Sequence, residues 1–251
     1  MTPLVLVHGF MGGSAQWADQ VDALGDGRDV IAVDLPGFGL NAHLPAPDTI
    51  AGFARAVLDQ IDARRITRFD LLGHSMGGMI VQEMVALAPE RIKKLVLYGT
   101  GATGVLPGRF ETIETSQARA LQDGAEATAR RISATWFLHH EAAQGYAACA
   151  ELAALSPQRS LQAGLRAMQQ WSGQGHLAHI PHQTLVIWGD HDRTYAWAQA
   201  QELWQCIERA RLAVVPDCAH AVHLENPSVF NLLLSQFLAS PSGPQAHATR
   251  A

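Results

Sequence analysis

The chain has 251 residues, 48% hydrophobic and 16% charged, with a formal net charge of −5. That suits one large α/β domain or two small ones with a substantial core, and the charge gives no argument for nucleic acid or a membrane surface as partner. No run has transmembrane length, and three cysteines (Cys149, Cys206, Cys218) without C-x-x-C spacing argue against a disulfide framework or a zinc site. With no signal peptide ahead of the first apolar run, the expectation is a cytoplasmic protein.

Six short apolar runs read as strands buried on both faces of a parallel sheet: residues 4–7, 30–33, 69–72, 94–98, 184–188 and 212–215. Helical patterns lie between and after them at 14–24, 49–63, 75–88, 197–208 and 228–238. Alternating strand and helix with short connections predicts an α/β fold, a mostly parallel, doubly wound sheet of about six strands. Right-handed crossovers then place the strands' C-terminal ends along one edge, where ligands bind.

One stretch breaks the alternation. Residues 103–178 contain no convincing strand and are rich in Ala, Gln, Arg and Leu, with breaks at Asp123-Gly124 and Ser156-Pro157. This reads as a helical insertion lying over the sheet edge as a lid. The expected organisation is a core of 1–102 and 179–239, a cap of 103–178, and a polar, disordered tail of 240–251.

The chemistry starts at Gly73-His74-Ser75-Met76-Gly77-Gly78. A G-x-S-x-G pentapeptide arises by chance about once in a dozen chains of this length, so it needs context. Here an apolar strand leads in and a helix leads out, which forces a sharp turn and exposes the serine hydroxyl above the sheet. The helix start aims backbone N–H groups at the same spot. A serine is a poor nucleophile at neutral pH and needs a base, itself oriented by a third group. The run at 184–188 is followed by Gly189-Asp190-His191-Asp192, and the run at 212–215 by Pro216-Asp217-Cys218-Ala219-His220. Serine, acid and histidine therefore occur in an order that one sheet edge can assemble. Asp34 also ends a strand, but Pro36-Gly37 behind it marks a turn former and only a runner-up acid.

These stretches, with Leu6-Val7-His8-Gly9-Phe10, Asp34-Leu35-Pro36-Gly37-Phe38-Gly39 and His220-Ala221-Val222-His223-Leu224-Glu225-Asn226-Pro227, resemble the α/β-hydrolase superfamily over residues 4–238. The resemblance implies the α/β-hydrolase fold, here without its N-terminal β-hairpin. It also implies a catalytic triad of Ser75, Asp192 (rather than Asp190) and His220 (rather than His223). Oxyanion-hole N–H groups would come from Phe10 and Met76. Ala219 departs from the pattern, standing where glycine commonly precedes the histidine.

Other residues carry weaker expectations. His8 braces the oxyanion loop, and His74 points away from Ser75. Trp136 and His139 are possible pocket residues of the insertion, and Phe137 and Trp171 are lid core or pocket wall. Arg130 and Arg131 form a solvated helix face or receive an acidic group. His139-His140 and His176, His179 and His182 lack cysteine or carboxylate partners at ligand spacing, so neither metal nor organic cofactor is expected. The reading is a serine hydrolase acting on a small carboxylic ester, thioester or lactone. The alternatives are a C–C bond hydrolase or lyase-type reaction with the same residues, and a non-enzymatic ligand receptor. Substrate identity and oligomeric state stay open.

Overall fold

A computed structural model describes residues 1–241; from 242 onward the expected tail lies outside the described residues. Six strands, β1 (Leu4–Val7), β2 (Val30–Val33), β3 (Phe69–His74), β4 (Ile92–Tyr98), β5 (Gln183–Gly189) and β6 (Ala210–Val215), form one sheet. Its order is β2-β1-β3-β4-β5-β6 and every pairing is parallel. Among the described residues ten α-helices accompany them: α1 (Ala18–Leu24), α2 (Ile50–Ala63), α3 (Met76–Leu87), α4 (Ile113–Asp123), α5 (Ala125–Ala134), α6 (Tyr146–Ala154), α7 (Gln158–Gln169), α8 (Trp197–Cys206), α9 (Val222–Glu225) and α10 (Pro227–Ala239).

Strand alternation divides the core in two. Val5, Val7, Leu71, Leu95 and Leu97 face one side with buried residues of α2, α3 and α8. Leu4, Leu6, Leu72, Val96 and Tyr98 face the other with Trp17 and Phe230, Leu234 and Phe237 of α10. Because both faces are covered, β1, β3 and β4 read as nearly unbroken apolar runs. The edge strands β2 and β6 are only partly buried, and β6 begins two residues before the expected start.

Capping chemistry fixes several helix ends. Thr49 accepts from the Gly52 N–H at the start of α2, and Asn226 accepts from Val229 at the start of α10, with Pro227 in the first turn. The far end of α10 is closed from the sheet: the Lys94 ammonium on β4 donates to the carbonyls of Phe237 (2.8 Å) and Leu238 (2.9 Å), and to Ser240. The expected helix from residue 14 starts as a 3-10 turn, Ser14–Trp17, because the Asp34 carboxylate pins Ser14 through N–H and hydroxyl.

Between β4 and β5 lie α4 to α7. The ends of this segment meet in a short antiparallel neck, where Gly104 N–H donates to Trp171 and Gly173 N–H to Ala102. Helix α4 packs on α7 and α5 on α6. The segment reaches the sheet's C-terminal edge through Ala221 N–H to the Trp136 carbonyl (2.9 Å) and Arg193 to the Phe137 carbonyl (3.0 Å).

In the sheet order, the chain runs outward in opposite directions from β1 and β3. Adjacent loops separate at such a point and leave a crevice at the strands' C-terminal ends. The loops after β1 and β3 carry His8 to Gly13 and Ser75.

Candidate active site

Ser75 sits between β3 and α3 with φ 58° and ψ −122°, a conformation that costs a side-chain-bearing residue roughly 1–3 kcal/mol unless its surroundings impose it. They do. The Ser75 N–H donates to the Tyr98 carbonyl (3.0 Å), and its own carbonyl accepts from Gly78 N–H and the Thr100 hydroxyl, both at 2.8 Å. The flanking glycines are steric requirements of the same turn: a Cβ on Gly77 would collide with the carbonyls of Val7 and His8, and one on Gly9 would lie 2.8 Å from Ser75 Cβ. The β1 loop thus crosses directly beside the serine.

That loop presents unused donors. Neither the Phe10 N–H nor the Met76 N–H donates to any group among the described residues; Met76 is the first residue of α3, whose early N–H groups have no intrahelical acceptor. His8 fastens the loop, its Nδ1 donating to the Gly9 carbonyl (2.7 Å) while Nε2 accepts from Leu35 N–H (3.0 Å). Burial lowers its pKa to about 4 and keeps the ring neutral, as this pair of bonds requires. Asp34, the runner-up acid, is committed here, accepting from Ser14 and Leu40 N–H.

His220 and Asp192 come together on the loops after β6 and β5. His220 Nδ1 lies 2.8 Å from Asp192 Oδ2, both side chains essentially sealed from solvent. Asp192 Oδ1 accepts from the N–H groups of Thr194 (2.7 Å) and Tyr195 (3.0 Å), which locks the carboxylate. With the carboxylate accepting, Nδ1 carries the proton and Nε2 keeps its lone pair. His220 and Ser75 line one small cavity with Gly9, Phe10 and Trp136. Asp190 instead receives a long bond from Cys218 N–H, away from His220.

The other rings form a buried bed under His220. His74 stacks on Tyr98 (4.4 Å between centroids) and its Nε2 donates to the His220 carbonyl, while the ring also borders the small cavity of Ser75 and His220. His223 meets the Tyr98 hydroxyl through Nδ1 (3.1 Å). Burial lowers both pKa values, that of His223 to about 3. Ala219 is accommodated: its N–H is taken by Glu225 Oε2 (2.7 Å), whose other oxygen accepts from Leu138 N–H (2.6 Å).

A narrow cavity of about 20 Å³ opens over Ser75, walled by Phe10, Trp136, Met168 and Tyr195 among others. Trp136 therefore lines this cavity. His139 does not: it follows the end of α5 on the exposed side and lines a separate cavity with Asp217 and Glu225. Phe137 is core, and Trp171 sits in the neck with its indole N–H on Glu83 (2.8 Å). Arg130 pairs with Glu126 on an exposed face, whereas Arg131 pairs with the buried Glu111. No group of three or more metal-ligating side chains occurs among the described residues, and none of their helices is long and apolar enough to cross a membrane. Two pocket residues have no distinguishing sequence signal: Tyr195, whose buried ring faces Ser75 and Thr100, and Arg109.

A parallel sheet with a serine elbow at the switch point and a buried histidine–carboxylate pair beside it defines the α/β class of hydrolases. The family model described as alpha/beta hydrolase fold matches residues 2–227, and the chain belongs to that family. It is 29% identical over 241 residues (94% of this chain, 93% of the relative) to a protein of Pseudomonas savastanoi pv. phaseolicola provisionally named carbamate hydrolase RutD. It is 30% identical over 259 residues (94% and 87%) to 2-hydroxymuconate semialdehyde hydrolase of Pseudomonas sp. strain CF600. Among solved structures, the enol-lactonase of Burkholderia xenovorans LB400 superposes with a TM-score of 0.85 at 26% identity, covering 96% of this chain and 92% of that one. The chain is thus an enzyme of the hydrolase class.

Proposed function

We propose that the protein hydrolyses a small carboxylic ester, thioester or lactone through an acyl-enzyme on Ser75. The observation that carries this reading is the strained Ser75 elbow sharing a cavity with His220, which is itself paired with Asp192. In the proposed sequence His220 Nε2 takes the Ser75 proton as Oγ bonds to the substrate carbonyl carbon. The oxyanion accepts from the N–H groups of Phe10 and Met76, each such donor being worth roughly 10²–10³ in turnover. Collapse breaks the bond to the leaving alkoxide or thiolate, which receives the proton from His220. Water, deprotonated by His220, then attacks the acyl carbon, and the second collapse returns the proton to Ser75 Oγ. Asp192 holds the imidazole and stabilises its cation throughout.

Residues 103–178 act in this reading as a cap that sets acyl-chain and leaving-group size over the Ser75 cavity. The likeness to a semialdehyde hydrolase supports a second reading, C–C bond hydrolysis with the same residues. A panel of p-nitrophenyl esters, methyl esters, lactones and a dienone followed by absorbance separates them. Ester or lactone turnover that disappears in Ser75→Ala is the expected result; turnover of the dienone alone would favour the second reading.

A further inference from the structure

The Ser75 cavity is apolar apart from a few groups, and among the described residues one charged side chain lines it, Arg109. The segment carrying it follows β4, ahead of α4. Its guanidinium lies over the Phe110 ring, 4.4 Å from the centroid, which fixes its plane. Nη1 is anchored, donating to the Glu111 carbonyl (2.7 Å) and the Ser116 hydroxyl (3.1 Å). Nε and Nη2 donate to no described residue.

The nearest carboxylate is already taken. Glu111 pairs with Arg131 at 2.9 Å and Arg119 at 3.3 Å and accepts from Ser116 Oγ, so Arg109 forms no ion pair among the described residues. A partly buried guanidinium without a counter-ion is a desolvation cost, and burial pulls its pKa down from the ordinary arginine value. The free Nε–Nη2 edge is the one that a carboxylate engages with two parallel hydrogen bonds. Arg109, Leu106 and Ile113 also line a second, outer cavity of about 100 Å³, so the guanidinium stands between that cavity and Ser75.

We propose that the natural substrate carries a carboxylate remote from the bond cleaved, and that Arg109 grips it through Nε and Nη2 while the scissile carbonyl lies at Ser75. This rests on Ser75 being the reacting group. It also places acid recognition on Arg109, which lines the Ser75 cavity, rather than on Arg130 and Arg131, which do not.

The test uses the full chain carrying Ser75→Ala, which removes turnover, and measures binding by calorimetry. Probes are the monomethyl esters of succinate, glutarate and adipate, each against its uncharged monoamide. The expected result is at least one chain length bound about tenfold or more tighter than its amide, with a preference that shrinks as salt is raised. Adding Arg109→Gln should bring the two within about twofold, and Arg109→Lys should keep part of the preference by charge alone. Equal binding of every pair, no binding of any charged ester, or a preference that survives Arg109→Gln would overturn the proposal. Wild-type turnover of p-nitrophenyl butyrate reports separately on the ester reading. Charged esters held by Arg109 with no ester cleaved would defeat that reading alone; butyrate cleavage without a charge preference would defeat this one alone.

Discussion

The Tyr195 ring lies stacked on the His220 imidazole, centroids 5.6 Å apart and planes 17° from parallel, with its hydroxyl directed at Ser75 and Thr100. Together with Asp192 behind Nδ1 and His74 at 4.5 Å, it leaves the imidazole little freedom to swing. Tyr195 is therefore a positioning residue in the proposed chemistry. Tyr195→Ala should lower kcat roughly 10- to 100-fold with KM little changed and shift the acid limb of the pH–rate profile. Tyr195→Phe, which keeps the ring and removes only the hydroxyl, should recover to within about fivefold. Equal damage in both variants, or a loss confined to KM, would contradict the positioning role.

The two aspartates after β5 make a sharp pair. Asp192 holds His220, and Asp190 does not reach it. Asp192→Asn should cost about 10⁴ in kcat by favouring the wrong imidazole tautomer, while Asp190→Asn should stay within a few-fold. Steady-state kinetics of the two variants decide it, and the reverse order would reassign the acid.

Glu225 is the mechanical link between the histidine loop and residue 138. Its two oxygens accept from Ala219 and Leu138 N–H groups. Charged hydrogen bonds of this kind contribute about 1.5–3 kcal/mol each. Glu225→Ala should therefore lower unfolding free energy by about 3–6 kcal/mol and raise amide exchange at both positions. Urea denaturation with hydrogen exchange checks this; a wild-type midpoint and unchanged exchange would refute it.

Stability should fall on mild acidification. Burial depresses the pKa of His8 to about 4 and of His223 to about 3, and lowers His74, against 6.5 for an unburied histidine. The unfolded chain therefore binds more protons below pH ~6.5, and the stability present above that pH is lost as pH falls toward the folded-state values. Each imidazole contributes a slope of up to about 1.4 kcal/mol per pH unit. Urea midpoints between about pH 7.5 and about pH 5 should decline accordingly, and His223→Gln should flatten the decline by one group's share. An identical slope in that variant would count against His223 being neutral in the fold.

The sequence is most legible where one physical constraint dominates. Residues 4–7 and 30–33 match β1 and β2 to the residue, because turn-forming residues bound each apolar run closely. That Ser75, Asp192 and His220 lie along one sheet edge was readable because each follows a strand, and parallel strands must end on one edge. The insertion was legible as helical and no further. Trp136 and His139, three residues apart, end in different cavities because α5 stops between core and surface, and no periodicity marks that point. Arg131 pairs with the Glu111 carboxylate while Arg109 reaches only its backbone carbonyl, a difference set by tertiary structure. Tyr195 carries no motif; its place on His220 follows from the turn that Asp192 Oδ1 closes.

The central claim, that Ser75 is the nucleophile activated by His220, is tested most directly by covalent labelling. A fluorophosphonate probe with intact-mass and peptide mapping should give one adduct per chain, on Ser75, lost in Ser75→Ala and strongly slowed in His220→Gln. An adduct on another residue, or undiminished labelling of Ser75→Ala, would contradict the account.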